Sequence, residues 1–130
     1  MPGTLLLDSE GLSKLYLMDR MLTAVVDAAA KAEVTVATTA MTRLEADYER
    51  VHAARIRWVL SRIDVLDVTR SVSDDAARLL REHGLRGHKY AIDAVLAAIA
   101  RTAPRPVTVV TSDPEDLTLL CGPDVRIIKV

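Results

Sequence analysis

Four acidic residues, Asp8, Glu45, Asp93 and Asp113, stand where a carboxylate needs a partner or a purpose. Asp93 is the most telling, because nearly every neighbour in Tyr90-Ala-Ile-Asp-Ala-Val-Leu-Ala-Ala-Ile-Ala100 is apolar. An isolated ionised carboxylate in such surroundings is costly, so it requires a cation, a metal or hydrogen bonds. The competing reading is one solvent-facing stripe through Lys89, Asp93 and Ala97. Asp8 directly follows the apolar run Thr4-Leu-Leu-Leu7. Its ordinary role there is to cap the next helix; if Ser9 caps instead, Asp8 is free to face a cleft. Asp113 ends Val107-Thr-Val-Val-Thr-Ser-Asp113 and precedes Pro114, which suits a helix N-cap. Capping and metal binding are compatible, since a carboxylate has two oxygens and several lone pairs. Asp116, three residues on, faces the same place from the first helical turn. Glu45 has Asp47 and Glu49 beside it and alone reads as solvent-facing, so its case rests on the other acids.

Carboxylates gathered at one point repel and raise each other's pKa values unless a cation compensates. Mg2+ and Mn2+ are the natural partners, because they prefer oxygen ligands in octahedral geometry. Such ions turn water into a nucleophile and stabilise charge on a phosphoryl group. The sequence has no Walker loop, no GxGxxG and no nucleophile elbow, so phosphodiester hydrolysis fits its inventory best. His52, His83 and His88 lack paired metal-ligand spacing, and His83 beside Gly84 reads as a helix end. Cys121 is the only cysteine, which excludes an intrachain disulfide and a thiolate zinc site.

The elements that must position these acids alternate along the chain. Thr4–Leu7 reads as a short buried strand ending at Asp8. Leu12, Leu15 and Tyr16 have helical spacing, and a second helix covers Leu22 to Ala32. Val34–Ala37 is the second strand. Thr38 or Thr39 caps a helix carrying Met41, Leu44, Glu45 and Tyr48. Another helical segment runs through Ile56, Val59, Leu60 and Ile63, and Val65–Val68 is a third strand. Ser73 opens a helix over Leu79 and Leu80 that ends near Gly84 at C′. Tyr90 to Ala100 is the most apolar helix, and Val107–Val110 is a strand of the buried parallel type. Pro114 starts a short helix to Cys121-Gly122, and Val125–Val130 is the last strand. Strands alternating with helices predict an α/β fold, a three-layer α/β/α domain with a mostly parallel sheet of about five strands. In such sheets, sites form outside the carboxyl ends of the strands.

In order and spacing the acids resemble the PIN-domain family, in particular the VapC-type ribonuclease toxins of bacterial toxin–antitoxin pairs, over nearly the whole chain. Leu-Leu-Leu-Asp8-Ser9 is similar to the family's first strand with its opening acid, and Thr-Thr-Ala-Met-Thr-Arg-Leu-Glu45 to the helix presenting its glutamate. The strongest match is His-Gly-Leu-Arg-Gly-His88-Lys-Tyr-Ala-Ile-Asp93-Ala-Val-Leu-Ala-Ala. Thr111-Ser-Asp113-Pro-Glu-Asp116-Leu resembles the family's Thr-x-Asp-x-x-Asp segment. The resemblance implies that Asp8, Asp93 and Asp113 are metal ligands, that Glu45 binds a second ion or positions the attacking water, and that the Thr111 hydroxyl supports the site. It implies Mg2+- or Mn2+-dependent cleavage of RNA, a homodimer, and an antitoxin protein that silences the cleft. Two positions depart from the family: Glu10 stands where a small polar residue is expected, and Leu117 where Phe is common.

RNA contact needs positive charge. Arg50, Arg55, Arg57 and Arg62 cluster with Trp58, and Arg86 and Lys89 flank the Asp93 helix. These side chains can hold phosphates and Trp58 can stack on a base; the plainer reading is a solvated arginine face around a core tryptophan. The formal net charge of −1 argues neither way. With 130 residues, half of them apolar and none Phe, the chain reads as one domain over 1–130 whose core is aliphatic. No secretory h-region opens the sequence and no apolar run approaches the roughly 20 residues of a membrane span, so a cytoplasmic, membrane-free protein is the expectation. Two other functions fit the size and alternation. One is a receiver-like signalling domain, with Asp8 after strand one and Lys129 in the last strand. The other is a catalytically silent PIN-like binding module.

Overall fold

The computed structural model describes residues 2–47 and 50–130. The chain runs β1 (Thr4–Leu7), α1 (Ser9–Tyr16), α2 (Arg20–Lys31), β2 (Thr35–Thr39), α3 (Ala40–Ala46), α4 (Ala53–Leu60) and β3 (Asp64–Leu66). It continues with α5 (Arg70–Glu82), α6 (Gly87–Ala100), β4 (Val107–Thr111), α7 (Pro114–Cys121) and β5 (Val125–Lys129). Tyr48, expected on the α3 helix, and Glu49 lie outside the described residues.

Among the described residues the sheet has five strands in the order β3-β2-β1-β4-β5, every pair parallel. A parallel strand is covered on both faces, so its two side-chain parities feed two cores. Leu6, Ala37, Val107 and Val109 point into the core roofed by α5, α6 and α7. Leu5, Leu7, Val36 and Val110 point into the opposite core, built with α1, α2, α3 and α4. The predicted three-layer α/β/α arrangement is therefore present. The strand order reverses between β1 and β4, which marks their carboxyl ends as the crevice for a site. A receiver-like domain sets β1 between β2 and β3. Here β3 is an edge strand, so that alternative does not fit.

Several boundaries differ from expectation. β2 starts at Thr35 and runs to Thr39, two residues beyond the β-branched run. β3 is Asp64–Leu66, and Ile63 lies outside α4. α5 begins at Arg70 instead of Ser73, because the Thr69 hydroxyl accepts the Val72 N–H at 3.2 Å and caps it. His83 ends this helix and Gly84 follows at φ 64°, the left-handed C′ position expected of it. α6 starts at Gly87, three residues before the apolar pattern, without a side-chain cap. At the amino ends of the central strands Gly3, at φ 82°, packs so closely on Pro106 that an added Cβ would clash with its carbonyl oxygen.

Candidate metal centre

Asp8 occupies the switch point. Its residue is 6% exposed, and each carboxylate oxygen accepts a different backbone N–H. Oδ1 takes the Gly11 N–H at 2.8 Å, which makes Asp8 the N-cap of α1 and leaves Ser9 as the first helical residue. The expected exchange of roles between Ser9 and Asp8 does not occur. Oδ2 takes the Ser112 N–H at 3.1 Å, and the Asp8 N–H donates to the Val110 carbonyl at 3.0 Å. The side chain thus ties the ends of β1 and β4 together. Gly11 is not required by this turn, since a Cβ there would make only ordinary contacts with Asp8 Oδ1 and the Val110 carbonyl at 3.4 Å.

Asp113 precedes Pro114 at the start of α7, yet its carboxylate makes no capping hydrogen bond. Its own N–H donates instead to Thr111 Oγ1 at 2.8 Å, and Thr111 is fully buried. The carboxylate of Asp113 remains for the cleft, exposed beside half-buried Asp93 and Asp116. One carboxylate oxygen from each of these three lies within 4.8 Å of the others. Arg101, just past the end of α6, donates to the Leu120 and Cys121 carbonyls at 3.4 Å and fastens the far end of α7 to α6. That contact holds the helix of Asp113 and Asp116 against the helix of Asp93.

Electrostatics extends the group. The Asp93 carboxyl is pushed up from 3.8 to about 6, first by burial and then by Asp113, Asp8, Asp116 and Glu45 in that order. All four acids therefore lie near enough to Asp93 for their charges to be felt. The Asp116 carboxyl is raised chiefly by a side-chain hydrogen bond with Asp113, then by burial and the Asp113 charge, while Lys89 pulls it down. The solvent stripe through Lys89, Asp93 and Ala97 is absent, since Ala97 is wholly buried.

The geometry redistributes the expected roles. Asp116, secondary in the sequence, belongs to the tight triple, whereas Asp8 stands beside it with both oxygens on backbone amides. Glu45, exposed on α3, lies outside the tight triple and is the last and smallest of the charges acting on Asp93. Glu10 is exposed and is not among the charges acting on Asp93. An all-oxygen donor set with three carboxylates converging is chemically suited to a hard divalent cation.

The basic residues divide into two groups. Arg86, the N-cap residue of α6, and Lys89 are exposed on the α6 side, where Lys89 acts on Asp116. Arg55 and Arg62 both lie over the Trp58 ring, with guanidinium carbons 4.8 and 4.5 Å from its centroid. Trp58 is 49% exposed, so it is no core residue. Arg55 Nε also donates to the Tyr16 carbonyl at 3.2 Å. This pair borders a groove of about 340 Å³ between α1, α2 and α4, lined by Leu15, Met18, Val26, Val59 and Asp27 among others and by none of the five acids around Asp93. Arg50 and Arg57 are exposed on the same stretch. Of the histidines, His52 caps α4 through Nδ1 to the Ala54 N–H at 3.1 Å, and His88 is exposed.

No family model matches the chain and no curated protein does. Solved structures do resemble it. Over 98% of both chains it superposes, with a TM-score of 0.69 and 14% identity, on a chain of the crystal structure of VapBC2 from Rickettsia felis bound to a DNA fragment from its promoter. A second likeness, to a chain of FitAB bound to an IR36 DNA fragment, covers 96% of this chain and 94% of that one, with a TM-score of 0.61 and 19% identity. At such identities the likeness is one of fold, and the fold it supports is the α/β, PIN-like architecture with an all-parallel sheet.

Proposed function

We propose that the protein is a Mg2+- or Mn2+-dependent ribonuclease of the PIN type, the toxin of a toxin–antitoxin pair. The observation that carries this reading is the convergence of Asp93, Asp113 and Asp116, whose carboxylate oxygens lie within 4.8 Å of one another, with the charges of Asp8 and Glu45 also felt at Asp93. A fold that gathers five acids at its switch point and neutralises none with an arginine among the described residues suits a divalent ion. Such an ion would supply acidified water and charge neutralisation for a phosphodiester. Asp93, Asp113 and Asp116 would hold it. Asp8, fixed by two backbone amides, would present its remaining lone pairs to the same place. Exposed Glu45 would take the proton of the attacking water from the open side. Lys89 and Arg86 would meet RNA phosphates at the rim.

The fold likeness to chains of VapBC2 and FitAB supports a partner protein that restrains the activity. So does the surface. Exposed Met18 and Trp58 line the groove of α1, α2 and α4, and Leu17 and Met21 are exposed apolar side chains on the segments that lead into it. Pairing into a homodimer and a cytoplasmic location belong to the same reading. Among the described residues no helix is long and apolar enough to cross a membrane.

The test is cleavage of defined RNAs by purified, partner-free protein with Mg2+, Mn2+ or EDTA, wild type against Asp93→Asn. Metal-dependent cleavage by wild type, reduced about a hundred-fold or more in the variant, is the expected result. Mn2+ binding without any cleavage would make the protein a silent binding module instead.

A further inference from the structure

One stripe of α6 leads out of the acid cleft. Helical residues three and four apart share a face, and their side chains lean toward the amino end. Tyr90 and Lys89 therefore lie one turn before Asp93, and Arg86 lies two turns before it. Past Asp93 the stripe is closed, because Ala97 is wholly buried. Toward the amino end it is open: Arg86 and Lys89 are exposed and Tyr90 is half-buried. The Tyr90 hydroxyl makes no hydrogen bond among the described residues and is not sealed from solvent, so no polar contact anchors the ring.

The Lys89 ammonium lies over the Tyr90 ring, 5.2 Å from its centroid. The same ammonium is near enough to Asp116 for its charge to be felt there. That face of the ring thus borders the side of Asp93, Asp113 and Asp116, covered only by the end of a long, exposed side chain. A cation over an exposed ring is weakly held, and a lysine stem turns freely. A ligand that offers Lys89 a phosphate draws the ammonium off the ring and uncovers a flat apolar surface beside the acids.

Aromatic side chains are scarce enough for this placement to matter, with one Trp, three Tyr and no Phe in the chain. Tyr16 is sealed in the core, and Trp58 stands at a groove that none of the five acids lines. Among the described residues Tyr90 is the one aromatic ring beside the acids.

We propose that Tyr90 selects single-stranded RNA, its ring stacking on the base beside the phosphate that is cut. The inference rests on the ribonuclease reading above. Every base has a π-face, so stacking admits any sequence and asks only that the base be free of its own stack. In a duplex the base is already stacked and paired, and it reaches the ring only by being extruded. The contact forms on binding and persists through the reaction, so it tightens RNA binding and leaves the chemical step alone.

The experiment uses a single-stranded RNA oligonucleotide that wild type cuts at one mapped bond. Beside it stand the same strand made abasic on either side of that bond, and the strand annealed to its complement. Wild type is compared with Tyr90→Leu and Tyr90→Phe in kcat, KM, Mn2+ affinity and melting temperature, and Tyr90→Gln replaces Leu if Leu does not fold. In Tyr90→Leu the KM for the intact strand rises about ten-fold, the contribution of one stacked base, while kcat and Mn2+ affinity hold and Phe restores KM. One of the two abasic strands raises the wild-type KM by the same factor and raises that of Tyr90→Leu no further. Wild type cuts the duplex at least ten-fold more slowly than the strand. A wild-type KM in the Leu or Gln variant, abasic strands that do not distinguish variant from wild type, or a duplex cut as fast as the strand each overturn the proposal. So does a KM loss matched by a loss of Mn2+ affinity, which would make Tyr90 a packing residue of α6. A wild type that cleaves no RNA overturns the ribonuclease reading and this inference with it, an outcome distinct from an active wild type with indifferent Tyr90 variants.

Discussion

The carboxylate of Asp8 joins the ends of the two central strands by accepting the Ser112 N–H at 3.1 Å, while its other oxygen caps α1. An amide in its place offers one oxygen and sets an NH2 group against an N–H donor. Asp8→Asn therefore loses a buried backbone partner and should destabilise the protein by about 1–3 kcal/mol. Urea denaturation of the metal-free protein checks this. A midpoint equal to wild type would mean that the two bonds carry no net stability.

Asp93→Asn should act with the opposite sign. The carboxyl of Asp93 is raised from 3.8 to about 6, so its charged form is the one the fold disfavours. The folded state holds the proton more tightly than the unfolded chain. This contribution is fully present below 3.8 and is lost as pH rises through about 6. Metal-free wild type should thus gain stability from this group on acidification from neutral pH toward 5. Asn removes the charge at every pH and should raise neutral-pH stability by on the order of 1 kcal/mol once solvent screening of a half-buried group is allowed for. Thermal melts with EDTA at several pH values read both effects. A variant that melts below wild type at neutral pH would contradict the electrostatic account.

The same carboxyl sets the pH range of metal binding. A proton on Asp93 competes with a cation, so Mn2+ affinity should hold above the carboxyl's value of about 6 and weaken as pH falls through it. With one proton displaced, the loss below that value is about ten-fold per pH unit. Calorimetric titration with Mn2+ between pH 5 and 8 measures it. A flat profile would remove Asp93 from the ligand set.

The strands were legible because a parallel sheet buried on both faces writes them as short apolar runs, as in Thr4–Leu7 and Val107–Thr111. Helix starts were less so. α5 opens with the polar turn Arg70-Ser-Val-Ser, which hides the Thr69 cap from an apolar periodicity that begins at Ala76. α6 opens on Gly87 and His88, neither a strong helix former nor apolar. Of the site, Asp93 was legible from its apolar neighbours alone. The promotion of Asp116 was not, because it depends on how α7 tilts its first turn against α6. Trp58 misled by type, since the arginines that flank it at 55 and 62 keep its ring at the surface.

Gly3 and Gly11 both lie near the sheet and should respond differently to alanine. Gly3 has φ 82°, and a Cβ there would meet the Pro106 carbonyl at 2.3 Å, a backbone atom that cannot step aside. Gly3→Ala should cost several kcal/mol, about 3 or more, combining left-handed strain with a hard clash. Gly11 lies in the first turn of α1, where a Cβ would meet its nearest atoms at 3.4 Å. Its N–H bond to Asp8 does not involve the side chain, so Gly11→Ala should fall within about 1 kcal/mol of wild type. Comparable losses in both variants would show that the end of β1 tolerates no added volume at all.

Trp58 is the chain's single tryptophan and a direct optical probe of the surface away from the acids. At 49% exposure it is open to collisional quenchers, and the guanidinium groups of Arg55 and Arg62 lie over its ring. Iodide should therefore quench its fluorescence more efficiently than caesium, with the difference shrinking as salt screens the two arginines. Arg62→Gln should narrow the gap without unfolding the protein, since this guanidinium makes no ion pair among the described residues. None of the five acids around Asp93 lines the groove beside Trp58, where Asp27 is the one carboxylate, so Mn2+ bound at the cleft should leave its emission close to unchanged. Equal quenching by both ions would mean that the two guanidinium groups do not hold their places over the ring in solution. A large Mn2+ response would mean that the groove and the acid cleft are coupled.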